Sequence, residues 1–340
     1  MSQRETHPQI TQIGSNVICV ICGWLLVLSV LLLCFQEAVF SQSSNEAQAL
    51  AAIKLATNPS SKLAAAEDFV ARFPKSVERL RIAELISEEI LKIKDGYVAL
   101  ALLDRAKAVF TSDEEREILK PVALEAFAIS GRADDAFALA SEMLAKNPDD
   151  LRVLARMTHA GAEETRKKNR KYTGVSLQYG LKAIAIIEKG NKPSTLDEET
   201  WSSHKTSLGQ LYQQTAILYL AAQNTEEAKT RLKRASELSP HDPANFALLG
   251  RVINGDYLAQ MKSYEEMAEG KPKQDALKKI EGVLDAVIDA YARAAGLATG
   301  RAEYQPLLQQ VILDLTAYYQ QRHNSTKGLP QLINQYRPRR

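Results

Sequence analysis

Apolar residues recur three and four positions apart along most of this chain, in runs separated by short polar breaks. That spacing matches the 3.6-residue turn of an α-helix, and extended Val/Ile/Thr alternation of the strand kind is hard to find. Ala49, Leu50, Ile53 and Ala56 share one face, Asn58-Pro59 breaks the pattern, and Ala65, Phe69 and Val70 continue it to Phe73-Pro74. Ser76 is expected to cap a helix from about Val77 to Ile93. Asp95-Gly96 then turns the chain into Ala99, Leu103 and Ala106. Ser112-x-x-Glu115 has capping-box spacing, which satisfies the unpaired N–H groups of a helix start. Leu124 and Phe127 follow on that helix, Gly131-Arg132 turns it, and Ala136, Ala140 and Met143 lead to Asn147-Pro148.

The second half repeats this grammar with longer pieces. A helix is expected over about Asp150–Ala162 and another over about Val175–Glu188, separated by the charged run Glu163–Lys171. After a loop at Gly190–Ser194, Thr195-x-x-Glu198 is expected to cap one long helix running into Gly209–Pro240. That last stretch carries the fullest pattern. Tyr212, Ala216 and Tyr219 line one helix, and Ala228, Leu232 and Ala235 line the next, with a polar break at Gln223–Thr225 and a stop at Pro240. Small residues at Ala216, Ala228 and Ala235 let two backbones approach, and the larger side chains fill the space around them. Phe246, Leu249 and Gly250 open a helix expected to reach about Met267. A break follows at Gly270-Lys271-Pro272, then helices bearing Leu284, Ile288, Tyr291 and Ala295, and Leu308, Ile312, Leu315 and Tyr319.

The large–small–aromatic and Ala–large–Ala–Pro positions of Gly209–Pro240 resemble a tetratricopeptide (TPR) unit. Ala106, Met143, Ala183 and Ala235 mark comparable places, at intervals that widen down the chain beyond the family's ~34-residue period. The resemblance implies an all-α fold, an α-solenoid of TPR-like helix–turn–helix repeats, with five to six helix pairs. It also implies a scaffold that binds other proteins. The ending, Arg322-His323-Asn324-Ser325 through Gly328-Leu329 to Arg337-Pro338-Arg339-Arg340, resembles closing segments of exported bacterial TPR proteins and implies no activity.

Val17–Phe35 is an uninterrupted apolar stretch, close to the ~20 residues that a bilayer core requires. Arg4 precedes it and no Lys or Arg follows until Lys54, which places the N-terminus inside and the body outside the cytoplasm. The length of the stretch suits an uncleaved transmembrane anchor. Val39-Phe40-Ser41 supplies a cleavage site for a signal peptide, and both readings stand. The expected layout is residues 1–41 as cytoplasmic N-terminus and anchor or signal, 45–300 as solenoid, and 301–340 as capping helix and basic tail. The location is then the cell membrane, single-pass, or the periplasm if the signal is cleaved.

Composition narrows the chemistry. Of 340 residues, 43 are Lys or Arg and 41 are Asp or Glu, a net charge of +2 that gives no reason to expect nucleic-acid binding. Cys19, Cys22 and Cys34 all lie in or beside the apolar stretch, so the body has no disulfide framework and no thiol nucleophile. His7, His159, His204, His241 and His323 lack metal-ligand spacing, and no metal or other cofactor is expected. The run Arg166, Lys167, Lys168, Arg170, Lys171 stands beside Glu163 and Glu164 with one aromatic neighbour, Tyr172, and is expected to be a solvated face. Asp285 and Asp289 share a helix face, but Arg293 is placed to form an i,i+4 ion pair with Asp289. No phosphate loop or nucleophile elbow is present, and no enzyme is expected.

Stacked helix pairs of the TPR kind leave a groove lined by the first helix of each pair. Candidates for it are Arg81, Glu84, Glu88, Glu125, Gln210, Gln213, Ile217 and Arg251. Gln213 and Ile217 stand where the family's carboxylate clamp has charged residues, so that clamp is absent. A groove of mixed polarity suits an extended peptide or partner helix. The expected function is a protein–protein interaction scaffold of the cell envelope. Two alternatives are a cell-wall-active enzyme on a helical superhelix, with Asp285, Asp289 and His323 as its last candidates, and an architectural module that self-associates.

Overall fold

A computed structural model describes residues 45–338, and every regular element in that span is helical. The Val17–Phe35 stretch, and with it the choice between anchor and signal, lies outside the described residues. Among the described residues no helix is long and apolar enough to cross a membrane. The chain divides into two units, one ending at Gly131 and one beginning at Arg132.

The first unit contains a helix over residues 45–55 (α1), then α2 (Pro59–Arg72), α3 (Arg79–Leu91), α4 (Gly96–Val109) and α5 (Asp113–Ile129). Each start has a local cause. Asn58 and Ser61 form a capping box on α2 with Pro59 in the first turn, and Asp95 accepts from the N–H groups of Tyr97 and Val98 on α4. The expected box of Ser112 and Glu115 opens α5. Helix α5 packs on both α3 and α4, and α2 also touches both. Phe69, Leu103 and Phe110 are fully enclosed between them, and burial of a side chain of this size is worth about 1.5–3 kcal/mol. Arg79 spans α3 and α5, binding both carboxylate oxygens of the enclosed Glu115 at 2.7 and 3.0 Å.

The start of α3 differs from expectation. Val77 is 91% exposed and lies outside the helix. Ser76 Oγ instead accepts from the Glu78 N–H at 3.1 Å and donates to Glu46 in α1, so it joins two segments rather than capping one.

The second unit runs α6 (Ala133–Lys146), α7 (Leu151–Arg166), α8 (Thr173–Glu188), α9 (Glu198–Thr206), α10 (Leu208–Ala221) and α11 (Thr225–Leu238). It continues with α12 (Pro243–Glu265), α13 (Lys271–Ala298), a 3₁₀ turn (Ala302–Tyr304), α14 (Gln305–His323) and α15 (Leu329–Gln335). Packing follows chain order. α7 pairs with α8, α10 with α11 and α12 with α13, while α10 rests on both members of the preceding pair and α14 on α13. This sequential pairing is that of an α-solenoid-like repeat array. In the α10–α11 pair, Tyr212, Ala216, Ala228, Leu232 and Ala235 are all buried. Gln223 adopts a left-handed conformation (φ 62°) in the break, and Asn224 caps α11.

Three expectations are corrected here. The stretch from Thr195 is two helices, not one. Asp197 caps the short α9, because Leu196 and Trp201 are drawn into the core beside Leu151 and Leu154, and the axis changes at Ser207. α7 continues beyond Ala162 to Arg166, where Arg166 pairs with Glu163, and Lys167 pairs with Glu164 at 2.9 Å; Lys168, at φ 68°, ends it. On α14 the packed face is Val311 and Leu315, leaving Ile312 38% exposed. The helix is rotated so that Tyr318 meets Tyr257 and Tyr291, with ring centroids 6.0 and 6.4 Å apart.

Candidate partner-binding cleft

Asp150 begins the site. Its carboxylate accepts from the N–H groups of Arg152 and Val153 at 3.1 and 3.3 Å, which fixes the first turn of α7. From there the inward face carries Leu151, Leu154 and Thr158, all buried. Arg152, Arg156 and His159, spaced i, i+4, i+7, fall on the outward face. Across from them α10 presents Gln210 and Gln214 one turn apart, and α9 closes the end with Ser203 and His204. These side chains line a cleft of ≈ 370 Å³ whose apolar floor includes Ile187 and Leu211. The volume lies within the range of small ligand pockets and admits one or two side chains of a bound segment.

Among its polar groups Arg152 and Arg156 only donate, while the serines, glutamines and histidines can donate or accept. Arg152 is 59% exposed and only loosely held, with Nε 4.0 Å from Asp150. Gln214 Nε2 lies 2.9 Å from His159 Nδ1 and donates to it. His204 Nε2 is buried with no partner. Burial lowers the His204 pKa and the Arg152 guanidinium lowers it further, against a smaller opposing pull from Asp150. His204 is therefore neutral near pH 7.

A folded-state pKa below the unfolded value of ~6.5 makes the stability contribution of His204 complete above that value, and lost as pH falls through the folded pKa. The second unit should lose stability on acidification below about pH 6.5, and His204→Phe should flatten the dependence. An NMR titration placing the His204 pKa at or above ~6.5 would refute this.

Of the residues picked from sequence, Arg81, Glu84, Glu88 and Glu125 belong to the first unit. The first three are exposed on α3, where Arg81 lies 3.5 Å from Glu78, and Glu125 is half-buried on α5. In the second unit only Gln210 lines the cleft. Gln213 is buried and donates to Asp242 (3.1 Å) and Asn245 (2.7 Å), and Ile217 is buried in a cluster with Ala162 and Leu218. Arg251 is exposed on α12. Arg152, Arg156, His159, His204 and Gln214 line the cleft without being among those candidates, and the polar i, i+4, i+7 stripe of α7 is the sequence signal for three of them.

The other singled-out groups have structural partners. Asp285 holds Arg322 at 2.8 and 3.2 Å, and Asp289 holds Arg293 at 2.9 Å while accepting from Tyr336. The ring of His323 lies 4.3 Å from that of Tyr319, tilted by 43°. Within the basic run, Arg166 and Lys167 pair along their own helix and Lys171 pairs with Asp134, to which Tyr172 also donates. Among the described residues no group of His, Cys, Asp and Glu could hold a metal ion. No protein-family model matches the chain, and no curated protein matches it either.

Proposed function

We propose that this chain is a TPR-type scaffold of the cell envelope, carried there by its N-terminal apolar segment, which holds an extended segment of a partner protein. The observation that carries the reading is the cleft between α7 and α10. It lies on the first helices of two successive pairs, and its lining is polar, with two guanidinium groups, over an apolar floor. Arg152 and Gln210 would meet acidic or carbonyl groups of the segment, and Ile187 and Leu211 its apolar side chains. On this reading the chain carries out no reaction and needs no cofactor.

The test is capture from envelope extract with the full chain, followed by affinity measurement on whatever is retained. Arg152→Glu and Gln210→Glu change exposed side chains, so the fold should persist while partner affinity falls about 10-fold or more, equivalent to ~1.4 kcal/mol. Retention of nothing above a blank matrix, or affinity unmoved by both substitutions, would overturn the proposal.

A further inference from the structure

The α12–α13 pair extends past the helices that cover it. Tyr257 and Glu281 mark the reach of α14, through Gln321 to the Tyr257 hydroxyl (2.7 Å) and Arg322 to Asp285 and, at 3.9 Å, to Glu281. From Leu258 to Lys279 no residue is buried; Met261 and Tyr264 pack against the core cluster, and Tyr264 meets Lys273 across the pair. Leu258 is 54% exposed and Leu277 37%. A bare helical hairpin of two turns is marginal in water by itself.

Its charges make it weaker still. Glu265 and Glu266 stand at the C-terminal end of α12, and Lys271 and Lys273 in the first turn of α13. Both sets oppose the helix dipoles, which favour cations at a C-terminus and anions at an N-terminus by about 0.3–1 kcal/mol per charge. Gly270 supplies no side-chain cap, and the first turn of α13 has no acidic residue. The Glu269–Lys273 pair at 2.7 Å relieves part of this. Glu265, Glu266, Lys271, Lys278 and Lys279 have no ion-pair partner among the described residues.

We propose that this tip is a self-association surface whose occupant is the same tip of a second copy. The sequence of charges is self-complementary. Within one chain Tyr264 lies beside Lys273 and Gly250 beside Tyr291, which sets the register of the antiparallel pair. A second hairpin related by a two-fold axis along the hairpin would set α12 of one copy against α13 of the other in that same register. Glu265 and Glu266 then stand level with the second copy's Lys271 and Lys273, and Lys262 with its Asp275. Leu258 and Leu277 are covered in the resulting four-helix arrangement. The repulsion between each charge set and its own helix terminus is offset across the two-fold. The surface is small next to the ~800 Å² per partner of a standard interface, so the dimer is a weak, concentration-dependent one.

The full chain, in detergent, should show a dimer mass by light scattering at about 100 μM, a hundredfold above a micromolar Kd. Leu258→Glu with Leu277→Glu should leave a monomer. So should Glu265→Lys with Glu266→Lys, and so should Lys271→Glu with Lys273→Glu, while an equimolar mixture of these two charge variants should recover the dimer. None of the substituted residues is buried, so circular dichroism should be unchanged, and the charge reversals, which bring each sign to the helix end that favours it, should not lower the melting temperature. The proposal is overturned if the native chain is a monomer at that concentration. It is equally overturned if the dimer ignores the leucine and charge variants, or if the mixture stays monomeric. Capture of a monomeric chain by phosphatidylserine vesicles through the tip lysines would assign the surface to a membrane instead, and would also overturn it.

Discussion

Arg79→Met is expected to cost the first unit about 3–5 kcal/mol, because it strands a carboxylate inside the fold. Glu115 is 1% exposed and held by two guanidinium N–H groups and by the Ser112 N–H. Burial alone would raise its pKa. Arg79, with the N–H groups of Ser112 and Thr111, more than reverses that and holds the carboxyl below its usual value. A lowered folded pKa means that the stabilisation is complete above the unfolded value of ~4.3 and is lost as pH falls through the folded pKa. The native chain should therefore keep this contribution to moderately acidic pH. In Arg79→Met the burial effect remains without its main counterweight, so acid unfolding of the first unit should begin at higher pH. Two units need not unfold together, so a single melting temperature is a poor readout. Hydrogen exchange resolved by peptide over residues 79–129 would isolate the effect. Protection there unchanged from the native chain at pH 7 would refute the argument.

Much of the array was legible because its determinants are local. Asn58-Pro59 and Ser112-x-x-Glu115 announce helix starts by their own chemistry, and Ala228, Leu232 and Ala235 announce a buried stripe by spacing alone. The failures share a different cause. Thr195 and Asp197 are both competent caps, and the choice between them was made by Trp201 seeking Leu151 and Leu154 far away in sequence. Val311 rather than Ile312 faces inward on α14 because Tyr318 must reach Tyr257 and Tyr291. A rotation of one residue leaves the helical period intact, so periodicity could not detect it.

The cleft was less legible for the same reason. Gln213 and Gln214 are neighbours on α10 and differ by about 100° in direction. One is occupied by Asp242 and Asn245 of the following turn and helix, and the other by His159 of α7. Which of them points into a cleft depends on where α7 and α9 lie. His204 lines the site because α9 is a separate short helix, which the helical period from Thr195 onward does not distinguish from α10.

Gly161→Ala should be the other severe change, and it connects packing to the cleft. A Cβ at Gly161 would lie 1.9 Å from Ser176 Oγ and 2.4 Å from Ser176 Cβ, so α7 and α8 could not keep their approach. Overpacking of this kind costs about 1–3 kcal/mol, and the Cβ contact sets it at the upper end because a Cβ cannot rotate away. Ser176 itself is fully buried, with its hydroxyl unpartnered. Ser176→Ala should then be neutral or stabilising, since it removes a buried polar group that makes no hydrogen bond. Ser176→Gly should absorb most of the Gly161→Ala penalty after its own helix cost of ~0.5 kcal/mol relative to serine. The two sites should therefore couple by more than ~0.5 kcal/mol in a double-mutant cycle on melting of the second unit. Because α7 also carries Arg152, Arg156 and His159, the same displacement should weaken partner capture in Gly161→Ala and restore it in the double variant. Additive costs for the two substitutions would show that the helices separate freely at this point, and would remove α7–α8 packing as the support of the cleft.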